Sequence, residues 1–256
     1  MAHNQSLTTA EKIRAFPWYF GGQATTVVFI ILTWFGGILP LFLNALGFSK
    51  TQIGVILSVP WFFSLLSLLV AGWVVRWGVK RIFLWCFGAR TIVTALLGAA
   101  PWILLRYGLS AAFIWVLGVT VAFSFCRAVG ETGFLPWARE MIPNRLRGKT
   151  DAVNAIICGV FSLVTVWGAS LVLKYVHGLN GYSLLVFLSV PFGLISLFAF
   201  YMIPGGRPVR VEVSSAGWVN NFLAVMKDRN FLLYEGGIGL FCLAVSGLSF
   251  MPLYMQ

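Results

Sequence analysis

Seven long runs of apolar residues, separated by short polar gaps, dominate the pattern of this chain. The runs cover residues 18–46, 53–75, 82–105, 111–136, 152–173, 182–203 and 231–255. A helix needs about 20 apolar residues to cross the roughly 30 Å hydrocarbon core of a bilayer, since each residue adds about 1.5 Å. Every run reaches that length. The pattern therefore predicts an all-α, polytopic membrane protein with seven spanning helices.

The basic residues collect in every second gap. Thirteen of the 18 Lys and Arg residues fall in the N-terminal leader and in the gaps after the second, fourth and sixth runs. The other gaps hold only Lys50, Arg106 and Lys174, and Arg90 and Arg127 lie inside runs. Because cytoplasmic loops carry the Lys/Arg excess, this pattern predicts a cell-membrane protein with a cytoplasmic N-terminus.

Composition narrows the function classes. The chain is 59% hydrophobic and 10% charged, which does not suit a soluble domain of this length. Its net charge of +11 is spread over loops rather than along one basic face, so we expect no nucleic acid partner. The four cysteines lack metal-ligand spacing, and no nucleophile–base pair or phosphate-binding glycine loop is found. We therefore expect neither enzymatic catalysis nor a cofactor.

The gaps divide the chain into four parts. Residues 1–17 are predicted to form a cytoplasmic leader, 18–203 a six-helix bundle, 204–230 a cytoplasmic linker, and 231–256 a seventh spanning helix. The linker opens with Pro204-Gly205-Gly206, which should end the sixth helix. Its remainder is either a short amphipathic helix on the inner membrane surface or a partly ordered connection.

The outer end of the first run is repeated at the outer end of the seventh. Residues 40–44 read PLFLN and residues 252–256 read PLYMQ. Transporters are commonly built from six-helix halves related as parallel repeats. The spacing therefore predicts that the seventh run begins a second half, of which the chain contains only this helix.

The gap after the second run, residues 71–81, reads AGWVVRWGVKR. It resembles the G-x-L-x-D-R-x-G-R-K/R motif between helices two and three of the major facilitator superfamily. Val75 replaces the aspartate. Ala71 replaces the first glycine, while Arg76, Gly78 and Lys80 match their positions and Arg81 extends the basic cluster. In that family this loop makes a tight turn and helps to latch two halves together at the cytoplasmic face, so the resemblance implies a cytoplasmic gate here.

A second motif occupies the gap after the fourth run. Residues 140–149 read EMIPNRLRGK and resemble the E-x-x-P-x-x-x-R-G stretch at the symmetry-related position of the same family. The residues that match the motif are Glu140, Pro143, Arg147 and Gly148. Together the motifs imply the N-terminal half of a major facilitator plus a seventh helix. The implied function is secondary transport of a small solute by rocking two halves around a midplane site.

Two weaker resemblances concern the direction of transport. The fourth run matches the R-x-x-Q-G-x-G pattern of drug/proton antiporters only at Arg127 and Gly133. In the fifth run, Gly159 and Gly168 keep the spacing of an antiporter pattern whose proline is replaced by Ala169. Uptake and efflux both stay open.

Charged residues within the runs are the candidates for the mechanism. A charge near the bilayer centre costs about 2.5–3.5 kcal/mol on insertion scales and normally faces a bundle interior. Arg127 and Glu131 are four residues apart, so they share a helix face. One hypothesis is that Glu131 takes up and releases a proton under the influence of Arg127. The alternative is a static ion pair that holds the fourth helix to the first or fifth. Arg90 is expected to snorkel towards the cytoplasm.

Several polar residues and glycines are further candidates. In the first run, Gln23, Thr33 and Trp34 are candidates for contact with a substrate or a proton, although helix packing explains such residues almost as well. We expect glycines to allow close approach of helices. These glycines are Gly36, Gly37, Gly118, Gly159 and Gly168.

The expected partners are the lipid bilayer, a small solute and protons, since Glu131 can titrate and no ATP-binding loop is found. A complete seven-helix receptor or light-driven protein is the alternative. Against it, the charge pattern places the N-terminus inside, and the seventh run has no lysine to hold a retinal.

Overall fold

The computed structural model describes residues 9–206 and the isolated positions 227, 229–230, 232–233 and 237. All regular elements of residues 9–206 are helical. They are α1 (Thr9–Thr33), α2 (Ile38–Ala45), α3 (Lys50–Ser64), α4 (Leu66–Trp77), α5 (Val79–Leu97), α6 (Ala100–Tyr107), α7 (Leu109–Met141), a 3-10 turn (Asn144–Leu146), α8 (Arg147–Tyr175) and α9 (Leu179–Met202). Apart from the isolated positions, the predicted linker helix, the seventh spanning helix and the 252–256 repeat lie outside the described residues.

Six candidate membrane spans coincide with the first six apolar runs. Four are long and apolar enough by themselves, namely Lys12–Ala45, Leu109–Met141, Arg147–Tyr175 and Leu179–Met202. Two more are bent pairs of helices, α3 with α4 and α5 with α6, if each pair is counted as one span. The described part of the chain is therefore an all-helical bundle with the character of a membrane-embedded protein.

Three runs that were predicted as continuous helices are broken. The first is interrupted between α1 and α2, where Gly36 has a φ of 124° that an L side chain rarely adopts. The second bends by 62° between α3 and α4, where the N–H of Leu65 bonds three residues back, to Phe62. The third bends by 42° between α5 and α6, just before Pro101. Apolar periodicity does not reveal such breaks, because both halves of a bent span remain apolar.

The N-terminal leader also differs from the prediction. Helix α1 begins at Thr9 and continues through Pro17, so the described part of the 1–17 segment is helical rather than a separate leader. Ala15 is buried in the same cluster as Trp137 and Phe200. The start of α1 is therefore part of the bundle.

The long helices α1, α5, α7 and α9 make most of the contacts between helices. Helix α5 packs against α7 and α9, and α1 packs against α9 and α8. Helices α3, α4 and α6 also contact α7. This arrangement brings α5 and α7, the helices with charges inside their spans, directly together.

One end of the bundle carries most of the basic residues, and we call it the basic end. Here Gly78 alone separates α4 from α5, and the 3-10 turn separates α7 from α8. The segment after α9 joins them, because Trp137 Nε1 donates a hydrogen bond of 3.2 Å to the Pro204 carbonyl. The predicted tight turn is confirmed, with a φ of 96° at Gly78.

Close helix approach depends on other glycines than those predicted. A Cβ on Gly118, Gly159 or Gly168 would meet no atom within 4 Å, so that expectation was wrong for these three within the described bundle. A Cβ on Gly133 would instead lie 2.6 Å from Val79, and one on Gly193 would lie 2.7 Å from Thr91. Spacing within one helix cannot show which of its faces meets a neighbour.

Candidate charged site between α5 and α7

Three charged side chains meet between α5 and α7, and we call Arg90, Arg127 and Glu131 the triad. Arg127 Nε donates to both carboxylate oxygens of Glu131 at 3.1 Å, which confirms the predicted pairing along α7. Arg90 Nη1 reaches Glu131 Oε1 from α5 at 3.4 Å. A single carboxylate thus receives bonds from two guanidinium groups on two helices.

The position of Arg90 corrects the sequence prediction. Snorkelling would have left its guanidinium at the membrane surface, but its side chain is only 4% exposed and turns towards Glu131. The physical reason is electrostatic. A carboxylate with a partner on its own helix still has free lone pairs, and these attract a second cation more strongly inside a low-dielectric bundle than in water. The ion pair therefore joins α7 to α5, not to the first or fifth span as the alternative proposed.

The triad lies deep along α7. Arg127 is about 27 Å from one end of this helix and about 21 Å from the other, at 1.5 Å rise per residue. Its side chain is 16% exposed, while that of Glu131 is 45% exposed. The carboxylate is thus the accessible member of the triad, and the two cations lie behind it.

Aromatic rings enclose the two guanidinium groups. Arg90 Cζ is 4.0 Å from the centroid of the Phe87 ring. Arg127 Cζ is 4.8 Å from the Phe35 centroid and 5.8 Å from the Trp61 centroid. Cation–π contacts of this kind are strongest when the cation is desolvated. They hold the cations in place without using their N–H donors.

Some of those donors have no partner. Arg90 Nε and Arg127 Nη1 are buried and make no hydrogen bond. Buried polar groups are normally paired, and an unpaired one in a native structure points to strain, function or an unseen ligand. Both groups belong to residues that bond Glu131, so the triad contains two buried donors without a partner.

An apolar cavity of about 240 Å³ lies beside the aromatic rings that contact Arg127, although the triad residues are not among the described residues that line it. Phe35 and Trp61 line it while their rings also contact Arg127. Thr120, which lies two helical turns before Arg127 on the same face of α7, also lines the cavity, and its hydroxyl donates to the Val116 carbonyl. The rings of Phe35 and Trp61 therefore belong both to the cavity wall and to the surroundings of Arg127.

The candidate residues of the first run lie in different places relative to the cavity. Trp34 also lines the cavity, stacks on Phe123 with centroids 3.8 Å apart, and donates from Nε1 to Thr94 Oγ1 at 2.8 Å. Thr33 is buried and donates to the Phe29 carbonyl of its own helix. Gln23 lies away from the triad and bonds the Tyr19 hydroxyl. Of the three, Trp34 is the one that the structure brings to the cavity.

The motif residues at the basic end form a second charged cluster. Lys80 Nζ donates to the carbonyls of Tyr201 and Ile203 at 2.9 and 2.6 Å, at the C-terminus of α9. Glu140 Oε2 accepts a bond of 3.1 Å from the Gly206 N–H. We call this set of contacts the latch. It fastens the end of α9 to α5 and α7.

The other motif residues surround the latch more loosely. Arg76 is in the last turn of α4, Arg81 is exposed, and Pro143 precedes the 3-10 turn. Arg147 begins α8 with a buried Nε that makes no hydrogen bond, and a Cβ on Gly148 would meet open space. The implied role of these residues in joining two halves stays a prediction.

Comparison with family models, with curated proteins and with solved structures gave no match to this chain. The site must therefore be interpreted from its own geometry. Sequence reasoning missed that Arg90 is the second partner of Glu131 and that the Pro204–Gly206 turn returns to Lys80 and Glu140. The unfavourable Arg-before-Glu order, which leaves a carboxylate free for a partner on another helix, was the signal for the first.

Proposed function

We propose that this protein is a secondary transporter of a small solute, of the major facilitator type, coupled to protons through Glu131. The observation that carries the proposal is the triad itself. A titratable carboxylate bonds two cations midway along a helix long enough to span the membrane. Ionisable residues at such depth normally mark a proton or substrate pathway.

The triad gives a physical means of coupling. When Glu131 is ionised, it bonds both α5 and its own helix, so it favours the packing in which these groups are together. Protonation removes the negative charge and weakens both ion pairs. A ligand or proton shifts a conformational equilibrium only by its different affinity for the two states. Glu131 supplies that difference, because its two partners lie on different helices.

The proposal includes an orientation and a second half. The alternating basic gaps support a cytoplasmic basic end, and the resemblance of the two motifs supports a second six-helix half facing the triad. The latch then sets the shape of the cytoplasmic face of the first half, since Lys80 and Glu140 hold the end of α9 against α5 and α7.

Proteoliposomes that contain the gene product at its full encoded length test this function. A pH-sensitive dye inside the vesicles reports proton movement when gradients of neutral, cationic and anionic solutes are applied. We expect one solute class to drive proton flux in the wild type, and Glu131→Gln to abolish the proton flux while solute exchange persists. The amide keeps the shape of the side chain but cannot titrate.

Asp151→Asn serves as the control for this experiment, because it removes an exposed carboxylate in the first turns of α8. It should behave like the wild type. Solute-driven proton flux that survives in Glu131→Gln would show that Glu131 is a structural partner of the two arginines. A reporter fused to the N-terminus tests the orientation, and an extracellular N-terminus would favour the seven-helix receptor instead.

A further inference from the structure

The triad carries more positive charge and more donors than its carboxylate can satisfy. Two guanidinium groups face one carboxylate, so the site has a net charge of +1 when Glu131 is ionised. Arg127 uses Nε on Glu131, and its Nη1 remains buried without a partner. Arg90, at 4% exposure, likewise keeps Nε buried without a partner. These two donors need an acceptor that the described residues do not provide.

We propose that the triad and the adjoining cavity bind a small organic monoanion, a carboxylate with a compact apolar body. This inference rests on the proposed transport function and names the class of its solute. The carboxylate would accept from Arg127 Nη1 and Arg90 Nε, because planar guanidinium groups match carboxylates well. The apolar body would occupy the cavity lined by Phe35 and Trp61.

Charge and space both favour a monocarboxylate. While Glu131 is ionised, one negative charge neutralises the net +1 of the triad, and a second would leave an unbalanced charge inside the bundle. The cavity holds about 240 Å³, and its wall is mainly apolar and aromatic. Phe35 and Trp61 belong both to the cavity and to the surroundings of Arg127, so the two parts of the ligand are served by adjacent surfaces.

Protonation of Glu131 should strengthen this binding. It raises the net charge of the triad from +1 to +2 and frees the Arg127 Nε that Glu131 had occupied. The anion and the proton therefore bind cooperatively, and by linkage each increases the affinity for the other to the same degree. Coupling of this kind makes the proton and the anion travel in the same direction.

The groups that face Glu131 support this assignment. From α5 this group is Arg90, and from α7 it is Arg127. The thiols of Cys86 and Cys126 lie near Arg90. The other helices that pack on α7 carry their ionisable residues in a first or last turn. Those residues are Lys50 of α3, Arg76 of α4, and Arg106 and Tyr107 of α6. Within the described residues, Glu131 is therefore the carboxylate whose protonation changes the charge of the triad.

Calorimetric titration of the detergent-purified protein with benzoate tests the proposal, with benzamide as a neutral probe of the same shape. Benzoate stays ionised between about pH 6 and about pH 8, as carboxyl groups of ordinary acidity do. We expect benzoate to bind and benzamide to bind at least about tenfold more weakly. We also expect Glu131→Gln, in which an uncharged amide stands in for the protonated carboxyl group, to bind benzoate about tenfold more tightly than the wild type does, within the usual range of coupling between two sites.

Variants assign the effect to the triad. Arg90→Met and Arg127→Gln should each weaken benzoate binding by about tenfold or more, as expected for loss of a charged donor. Glu131→Gln should still prefer benzoate to benzamide, because both arginines remain in place. Arg106→Gln removes the same charge from the last turn of α6 and should bind like the wild type.

The outcomes separate this inference from the proposed function. Equal affinity for benzoate and benzamide, or a Glu131→Gln variant that binds benzoate no more tightly than the wild type, would overturn the anion site. If another solute class then drove proton flux in vesicles, the transporter proposal would stand without it. If benzoate bound as expected but no solute drove proton flux, the anion site would stand and the transport function would be wrong.

Discussion

The latch and the triad are both charged clusters in an apolar bundle, yet they use their charges in opposite ways. In the latch, Lys80 donates to two carbonyls and Glu140 accepts from a backbone N–H. In the triad, Arg90 and Arg127 leave buried donors unpaired around one shared carboxylate. The latch provides hydrogen-bond partners for backbone groups at a helix end. The triad instead keeps unpaired N–H donors in the middle of a span.

We interpret this difference as one between a structural role for the latch and the functional role that we propose for the triad. Carbonyls at the C-terminus of a helix need partners, and a lysine there supplies them and complements the helix dipole. Arg90 satisfies no such need, since its one bond to Glu131 is 3.4 Å long. An arginine that is buried with so little stabilisation from its own contacts is expected where ligand binding or a conformational change requires its charge. We therefore expect substitutions in the latch to affect stability, and substitutions in the triad to affect binding.

The largest effect on stability is expected from Gly206→Ala. Its φ is +67°, and a Cβ would lie 2.6 Å from Lys80 Cβ and 3.0 Å from the Lys80 backbone nitrogen. Backbone strain and overpacking together should cost about 2–4 kcal/mol. Thermal unfolding in detergent measures the loss. Gly118→Ala is the matched control, because a Cβ there meets no atom within 4 Å, and equal midpoints for the two variants would contradict the latch.

A smaller loss is expected from Lys80→Met. The change removes the two bonds to the Tyr201 and Ile203 carbonyls but keeps an apolar chain of similar length. Hydrogen bonds that involve a charged group contribute about 1.5–3 kcal/mol, and partial exposure to solvent reduces this, so we expect a loss of about 1–2 kcal/mol. The same unfolding measurement applies. Arg81→Met, at the exposed neighbouring position, should change the midpoint little.

The sequence predicted where the charged residues of these clusters lie along the chain better than it predicted which residues they contact. Apolar runs located six candidate spans, and glycine chemistry located the turn at Gly78, because both depend on local residues. The four-residue spacing also predicted the bond between Arg127 and Glu131. Arg90 was not assigned to them, because contact between α5 and α7 depends on how two helices are rotated and tilted. Periodicity within one helix carries little of that information.

The bends of the second and third spans were missed for a related reason. Their apolar composition fits a straight helix, and the break at Leu65 becomes visible only from the backbone bonds. The contact between Gly206 and Glu140 spans 66 positions along the chain. Proline and glycine at 204–206 indicated a turn, but not which surface the turn would meet.

The smallest effect on stability is expected from Arg90→Met, and it gives the sharpest contrast with Lys80→Met. Removal of Arg90 leaves Glu131 paired with Arg127, so no buried charge loses its only partner. Methionine fills similar space, and its sulfur suits contact with the Phe87 ring. Replacing buried ionic groups with apolar ones of similar volume is often neutral or stabilising. We therefore expect the unfolding free energy to change by less than about 1 kcal/mol, measured by thermal unfolding beside Lys80→Met. A loss of about 3 kcal/mol or more would show that Arg90 holds α5 to α7 as a structural ion pair, and the distinction between latch and triad would then be lost.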